Sequence, residues 1–231
     1  EEEGPDIQEL TRVDIEAKQA CPRYSARVVQ NVKIAPSPRW MQERLDAVGL
    51  RPVNNVVDAS NYVLMETGHP LHTFDMDKLK GPEINVRFAR KNEKFETLDH
   101  KVRELSEDML LICDAEAPVA LAGIMGGTGS EVDEKTVNVL IESAYFEPFV
   151  IRKGSKQQQI STDASKRVER GADPNDTLEY ARDRLAALIA EFAGGQIAKG
   201  VIDVYPVPVK AFELELHLDY VKRITGIHIS M

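Results

Sequence analysis

Four stretches of this chain carry side chains able to do chemistry. GHPLHTFD places His69, His72 and Asp75 three residues apart, and Cys113 could complete a set of four metal ligands. Pro70 works against that reading, because it forces an extended local chain on which the two imidazoles do not align. A polar loop is the plainer reading, and a histidine beside a pocket, serving as hydrogen-bond partner or base, stays open. AGIMGGTGSE follows an apolar run with Gly123, Gly126, Gly127 and Gly129. Ser130-Glu131 stands where a phosphate loop needs Lys-Ser/Thr, and the dinucleotide spacing also fails. These glycines instead offer a wall without side chains, open to close approach. Glu142 ends the apolar run VNVLIE, where a carboxylate is either solvated at a strand edge or buried with a partner. STDASKRVERG, residues 161–171, mixes hydroxyls, carboxylates and cations. It fits a solvated helix start with Asp163 paired to Lys166 or Arg167, and equally a polar pocket lip beside phosphate-binding cations.

Positioning these groups requires a frame. YSARVVQNVKI (24–34) has strand character and stops before Pro36. A helix is expected next, with Ser37 at its N-cap, Pro38 in its first turn, Met41, Leu45 and Val48 on one face and Gly49 at its end. A second helix is expected from about Val56 to Thr67, closed by Gly68 and Pro70. INVRFA (84–89), MLLIC (109–113), PVALAGI (118–124) and VNVLIE (137–142) are short apolar runs between turn residues, as strands are. TLEYARDRLAALIAEF predicts the longest helix, with Leu178, Leu185, Leu188 and Phe192 on one stripe and Gly194-Gly195 as its stop. VIDVY (201–205) predicts one more strand. FELELHL (212–218) alternates strictly as a further strand would, and DYVKRITG begins another helix.

The 231 residues are 42% hydrophobic and 29% charged, as in a soluble globular protein, and no run approaches the ~18 apolar residues of a membrane span. The acidic start EEEGPDIQEL has no apolar core of a signal peptide, so nothing in it argues for export, and the missing initiator Met suggests a fragment or a processed chain. Cys21 and Cys113 are expected as two unpaired thiols. A net charge of −9 argues against a chain that grips a phosphate backbone unaided, although Lys153, Lys156, Lys166, Arg167 and Arg170 form a locally basic stretch. The expected organisation is a polar linker or end of a preceding region at 1–19, one α+β domain at 20–205, and a connector plus the start of a truncated domain at 206–231.

RPVNNVVDASNYVLMETGHPLHTFD, LAGIMGGTGSEV, ESAYFEP and STDASKRVERGADP occur in this order and with matching spacing. Together they resemble the beta-subunit family of bacterial phenylalanyl-tRNA synthetases, in its central editing module. The resemblance covers about residues 20–205, and the tail FELELHLDYVKRITG looks like the opening of a winged-helix-like domain. It implies an α+β fold whose β-rich core is a sandwich-like mixed sheet with flanking helices. It further implies a cleft that hydrolyses the ester of Tyr mischarged onto phenylalanine tRNA.

Carried onto this chain, the family pattern gives His72 and Thr162 catalytic roles in orienting the aminoacyl group and the attacking water. Arg51, Ser60, Gly126, Glu142 and Ala164 become substrate-binding residues, with no metal. Ser60 stands where many relatives carry Thr, and His69 where others often have Gln, so His69 receives no role. Glu142 would accept a hydrogen bond from the Tyr phenol and be left unpaired by Phe. The resemblance implies phenylalanine tRNA and the synthetase alpha subunit of an α2β2 heterotetramer as partners, a cytoplasmic location and no membrane. No cofactor is expected here; ATP and magnesium belong to the whole enzyme. A non-catalytic scaffold that positions tRNA and the alpha subunit is the competing expectation.

Overall fold

Alternating burial along two strands sets the layers of the computed structural model, which describes residues 2–210 and 212–229. The chain begins with β1 (Glu2–Asp6), the short helix α1 (Ile7–Leu10), β2 (Arg12–Ile15) and β3 (Arg23–Gln30). Helices α2 (Arg39–Ala47) and α3 (Asn55–Thr67) follow, then β4 (Leu71–Asp75). Six strands come next: β5 (Glu83–Phe88), β6 (Lys94–Glu96), β7 (Val102–Glu104), β8 (Leu110–Cys113), β9 (Pro118–Leu121) and β10 (Met125–Gly126). The described chain ends with β11 (Val139–Tyr145), α4 (Pro148–Gln158), α5 (Asp163–Val168), α6 (Asp176–Ala193), β12 (Gln196–Lys199), β13 (Ile202–Val204) and α7 (Leu218–Thr225).

One sheet runs β1-β12-β3-β11-β4 with β13 also on β3, and the second runs β10-β9-β8-β5-β2. Both are mixed: β1 lies parallel to β12 and β2 parallel to β5, while the other pairs are antiparallel. In β11, Val139 and Ile141 belong to a core shared with α2, α3 and α6, whereas Leu140 and Ala144 belong to the core between the sheets. The period of two therefore turns Glu142 into the space between the sheets, and the same rule sends Tyr24, Ala26 and Val28 of β3 there. The result is the α+β class expected: two facing mixed sheets, with a helical layer on the outer face of one.

Local sequence explains the helices beside this core. Asn54 caps α3, its side chain accepting from the backbone N–H groups of Val56 and Val57, and Gly68 ends it at φ 76°. Leu178, Leu185 and Leu188 of α6 are buried as their spacing predicts. Ser37 departs from expectation. It does not cap α2, whose N-cap is Pro38; its hydroxyl instead donates to Asp58 Oδ2 on α3 and ties the two helices together. Val48 also leaves the buried face, at 56% exposure.

Both ends of the chain correct the sequence reading. Of the two expectations for residues 1–19, a linker or the end of a preceding region, the linker does not fit their described part: β1 and β2 extend the two sheets, and Ile7 of α1 and Ile15 of β2 are buried. Polar composition hid this, since an edge strand needs only a few inward apolar groups. At the other end FELELHL forms no strand, and Phe212, Leu214 and Leu216 are largely exposed. Alternation alone makes no strand without a neighbouring strand to pair with. The helix expected after it is present as α7, with no buried residue.

Candidate functional site

Four of the residues singled out, His72, Gly126, Glu142 and Ala164, converge where β4, β10, β11 and α5 meet. GHPLHTFD is not a loop here: residues 71–75 form β4, paired to β11 with His72 directly opposite Glu142. His72 and Glu142 face the same side, and His72 packs edge-on against Phe74 at 4.5 Å between ring centroids. Gly126 closes the space behind the imidazole. A Cβ at this position would sit 2.7 Å from His72 Cε1 and 2.8 Å from Nε2, so only a glycine leaves room for the ring as it stands. Ala164, in the first turn of α5, completes the wall with Ala144, Phe146 and Val168.

The pocket so formed has a volume of about 60 Å³, with His72, Gly126, Glu142 and Ala164 among its lining residues. A wider cleft of about 380 Å³ adjoins it through Leu71 and His72, and Ser60, Asn61 and Thr73 line that cleft. Ser60 Oγ donates to the Leu71 carbonyl at 3.4 Å. Thr162 stands beside the pocket and caps α5. Its hydroxyl accepts from Ser165 N at 3.0 Å and donates to the Ile124 carbonyl at 2.9 Å. With its proton so committed, Thr162 has only a lone pair to offer a water. Arg51 is exposed on the segment between α2 and α3 and lines neither cavity, although Val53 lines the cleft.

Burial governs the electrostatics. Glu142 keeps 6% exposure, and loss of water pushes its carboxyl up to about 7 despite a hydrogen bond from Tyr24 that opposes the shift. Tyr24 Oη donates to Glu142 Oε2 at 3.0 Å, and both groups are buried. Tyr24 is the neighbour of Glu142 that sequence reasoning missed, its only signal being a phenol in a strand that must face inward. Burial alone pushes His72 down to about 4, so its ring is neutral at physiological pH. His69 is also pushed down to about 4 by burial, and both its ring nitrogens lack partners among the described residues. Cys21 and Cys113 are free, buried thiols, and burial raises both.

A metal centre does not assemble from these residues: among the described residues no three His, Cys, Asp or Glu side chains converge as a metal site. Asp75 is engaged instead, its carboxylate accepting from Thr136 Oγ1 at 2.7 Å and from the Asp77 amide. The helix-start reading of STDASKRVERG holds, with Arg167 paired to Asp163 across one turn at 3.8 Å. Arg167 turns back to the Asp163 carbonyl at 3.0 Å as in a capped helix start, while Ala164 and Val168 of the same helix face the pocket.

These shifts have opposing effects on stability, and the sign is testable. His69 and His72 have folded values below their ordinary 6.5, so their contribution is complete above pH 6.5 and is lost as pH falls toward 4. Glu142 has a folded value above its ordinary 4.5, so its contribution is complete below pH 4.5 and is lost as pH rises through 7. Near pH 5.5, counting these three groups, the unfolded chain therefore binds nearly two imidazole protons against about one carboxyl proton in the folded chain. One net proton weakens the fold by about 1.4 kcal/mol per unit of falling pH. Glu142→Gln is expected to roughly double that slope and His69→Gln to flatten it, as read by urea unfolding across the window. Equal slopes in all three proteins would show that these groups do not titrate as their burial requires.

Comparison with known proteins places this geometry. A model of the B3/4 domain matches residues 20–194, and the chain belongs to that family. Its relatives are synthetase subunits. The chain is 51% identical over 224 residues to the phenylalanine–tRNA ligase beta subunit of Geobacter metallireducens, covering 97% of this chain and 28% of that one. It is 48% identical over 229 residues to the same subunit of Protochlamydia amoebophila, covering 99% of this chain and 28% of the relative. The chain thus spans little more than a quarter of the length of these relatives. In fold it is similar to the crystal structure of an N-terminal fragment of the phenylalanyl-tRNA synthetase beta subunit from Pyrococcus horikoshii. The TM-score is 0.53 at 17% identity, covering all of this chain and 63% of the other. Among the described residues, no helix is long and apolar enough to cross a membrane.

Proposed function

We propose that this chain is the editing part of a phenylalanine–tRNA ligase beta subunit, and that its pocket hydrolyses the ester of Tyr mischarged onto phenylalanine tRNA. The observation that carries the reading is Glu142: a carboxylate deep in an otherwise largely apolar pocket, with one oxygen held by Tyr24 and Oε1 without a hydrogen-bond partner among the described residues. A Tyr phenol satisfies that oxygen. Phe leaves it unpaired, at a cost of ~1–3 kcal/mol, or roughly 5- to 150-fold in binding. Apolar contact alone discriminates poorly against an added hydroxyl, so a second site that demands the hydroxyl is the chemical solution.

At about 60 Å³ the pocket is smaller than the ~150 Å³ that a benzene ring occupies in a closed cavity, so ring entry requires the wall to give. Met125 and Leu71 are the flexible lining side chains that can do so. The adjoining cleft with Ser60 then suits the terminal nucleoside. An aminoacyl ester is already activated, and positioned water with oxyanion stabilisation can hydrolyse it without a covalent nucleophile. A neutral His72 with a value near 4 hydrogen-bonds a water well but has little drive to take its proton at pH 7. This favours an orienting role for His72 beside Thr162. Arg51, exposed near the cleft, and the cations Lys156, Lys166 and Arg170 on and beside α5 serve to draw in phosphates.

In this reading the chain acts within a longer beta subunit beside an alpha subunit, where ATP and magnesium serve aminoacylation. The test is deacylation of Tyr-tRNA and Phe-tRNA, each the phenylalanine isoacceptor, by this chain and by a full synthetase. Faster loss of Tyr in both supports the assignment. No loss of either ester from the full synthetase would return the pocket to a scaffold that only positions tRNA.

A further inference from the structure

We propose that Tyr24 is a specificity-determining positioning residue: its phenol occupies Oε2 of Glu142, fixes the carboxylate, and leaves Oε1 as the carboxylate oxygen presented to a ligand hydroxyl. The inference rests on the editing reading above and names a residue that reading does not require.

The geometry is specific. β3 and β4 flank β11 on opposite sides, and Glu142 pairs with Ala26 on one and His72 on the other. Tyr24 lies opposite Ala144, two residues along the same face, so its ring spans diagonally to Glu142 and reaches it at 3.0 Å. Tyr24 is fully buried, and its ring belongs to the core between the sheets. A buried phenol needs a partner, and here the partner is the residue at the bottom of the pocket. A carboxylate with both oxygens free could rotate and meet a ligand by either. Held at Oε2, it presents one oxygen in one place, which is the condition for reading a single hydroxyl. The pocket thus holds one phenol permanently and tests for a second.

The same contact sets the charge of the acceptor. The hydrogen bond from Tyr24 favours the ionised carboxylate and opposes the upward push of burial. The other titratable groups facing Glu142 are Cys21, ahead of β3, and His72 on β4; β9, β10 and α5 present Ala120, Met125, Gly126, Ala164 and Val168. His72 is held near 4, and Cys21 and Tyr24 are raised well above their ordinary values, so between these limits Glu142 titrates alone.

The experiment measures equilibrium binding of L-tyrosinamide and L-phenylalaninamide to the 231-residue chain between about pH 5.5 and 8.5. The wild-type preference for the tyrosine amide is expected to rise with pH as Glu142 ionises. In Tyr24→Phe the preference at neutral pH is expected to fall at least about fivefold, and its midpoint to move to higher pH. A tyrosine that merely filled space would leave the midpoint in place. If wild type shows no preference at any pH, the editing reading itself is overturned. If wild type discriminates and a folded Tyr24→Phe keeps both ratio and midpoint, only the Tyr24 assignment falls. Should Tyr24→Phe fail to fold, 3-fluorotyrosine placed at position 24 gives the complementary measurement. Its phenol is a stronger donor, so the midpoint is expected to move to lower pH, and an unmoved midpoint overturns the proposal.

Discussion

Ala164→Trp is expected to abolish hydrolysis of Tyr-tRNA, by at least about a hundredfold, while leaving the chain folded. Ala164 is only partly buried and faces the pocket from the first turn of α5, so a large side chain there has solvent on one side and is not driven into the core. The pocket itself, at about 60 Å³, has no room to spare. An indole placed over it occupies the space the substrate ring must take, and Thr162, which caps the helix, ties its start to the Ile124 carbonyl. Single-turnover deacylation combined with circular dichroism separates a blocked pocket from a lost fold. A folded Ala164→Trp protein with undiminished activity would move the ring-binding site away from α5, and the role given to Glu142 would go with it.

The sequence made the frame legible wherever one face had to be apolar and the ends carried strong signals. The stripe of Leu178, Leu185 and Leu188 with Gly194 behind it, and the Asn54-to-Gly68 span of α3, are buried and bounded as their residues require. It misled where pairing partners decided the outcome. GHPLHTFD reads as a loop because its His, Thr and Asp are polar, yet β11 supplies a neighbour and makes it a strand. FELELHL reads as a strand because it alternates, yet it stays unpaired and exposed. The first residues read as a linker because they are acidic, yet two short segments among them find free sheet edges. Strand formation is a property of two segments, and one segment's composition reports only half of it.

The site shows the same division. His72, Gly126, Glu142 and Ala164 come from four separate segments, and the family resemblance gave each a role, but their meeting depends on β4 pairing with β11. Gly126 carries a purpose visible only in three dimensions, since its missing side chain is what admits the His72 ring. Tyr24 was hidden for a different reason. Nothing in YSARVV marks that tyrosine as more than a strand residue, and its contact with Glu142 spans 118 positions of sequence. Arg51 shows the reverse case, a residue singled out by the family resemblance that lines neither cavity.

Glu142→Ala is expected to erase the preference for Tyr over Phe, reducing the ratio of the two deacylation rates roughly 5- to 150-fold. Two costs fall on different observables. Removing the carboxylate takes away the acceptor for the substrate phenol, which lowers the rate for Tyr and leaves Phe no longer penalised for an unpaired oxygen. It also strands the buried Tyr24 phenol, which costs the fold about 1–3 kcal/mol and appears in urea unfolding, not in selectivity. Glu142→Gln separates the two, because an amide carbonyl still accepts from one phenol but carries no charge. That variant is expected to keep most of the stability near pH 7 and to discriminate weakly, with a preference that no longer changes with pH. The wild-type preference, in contrast, is expected to grow as pH rises through about 7, where the buried carboxyl loses its proton. Unaltered selectivity in a folded Glu142→Ala protein would make the carboxylate a structural partner of Tyr24 alone, and the discriminating group would have to be sought in the Ser60 cleft.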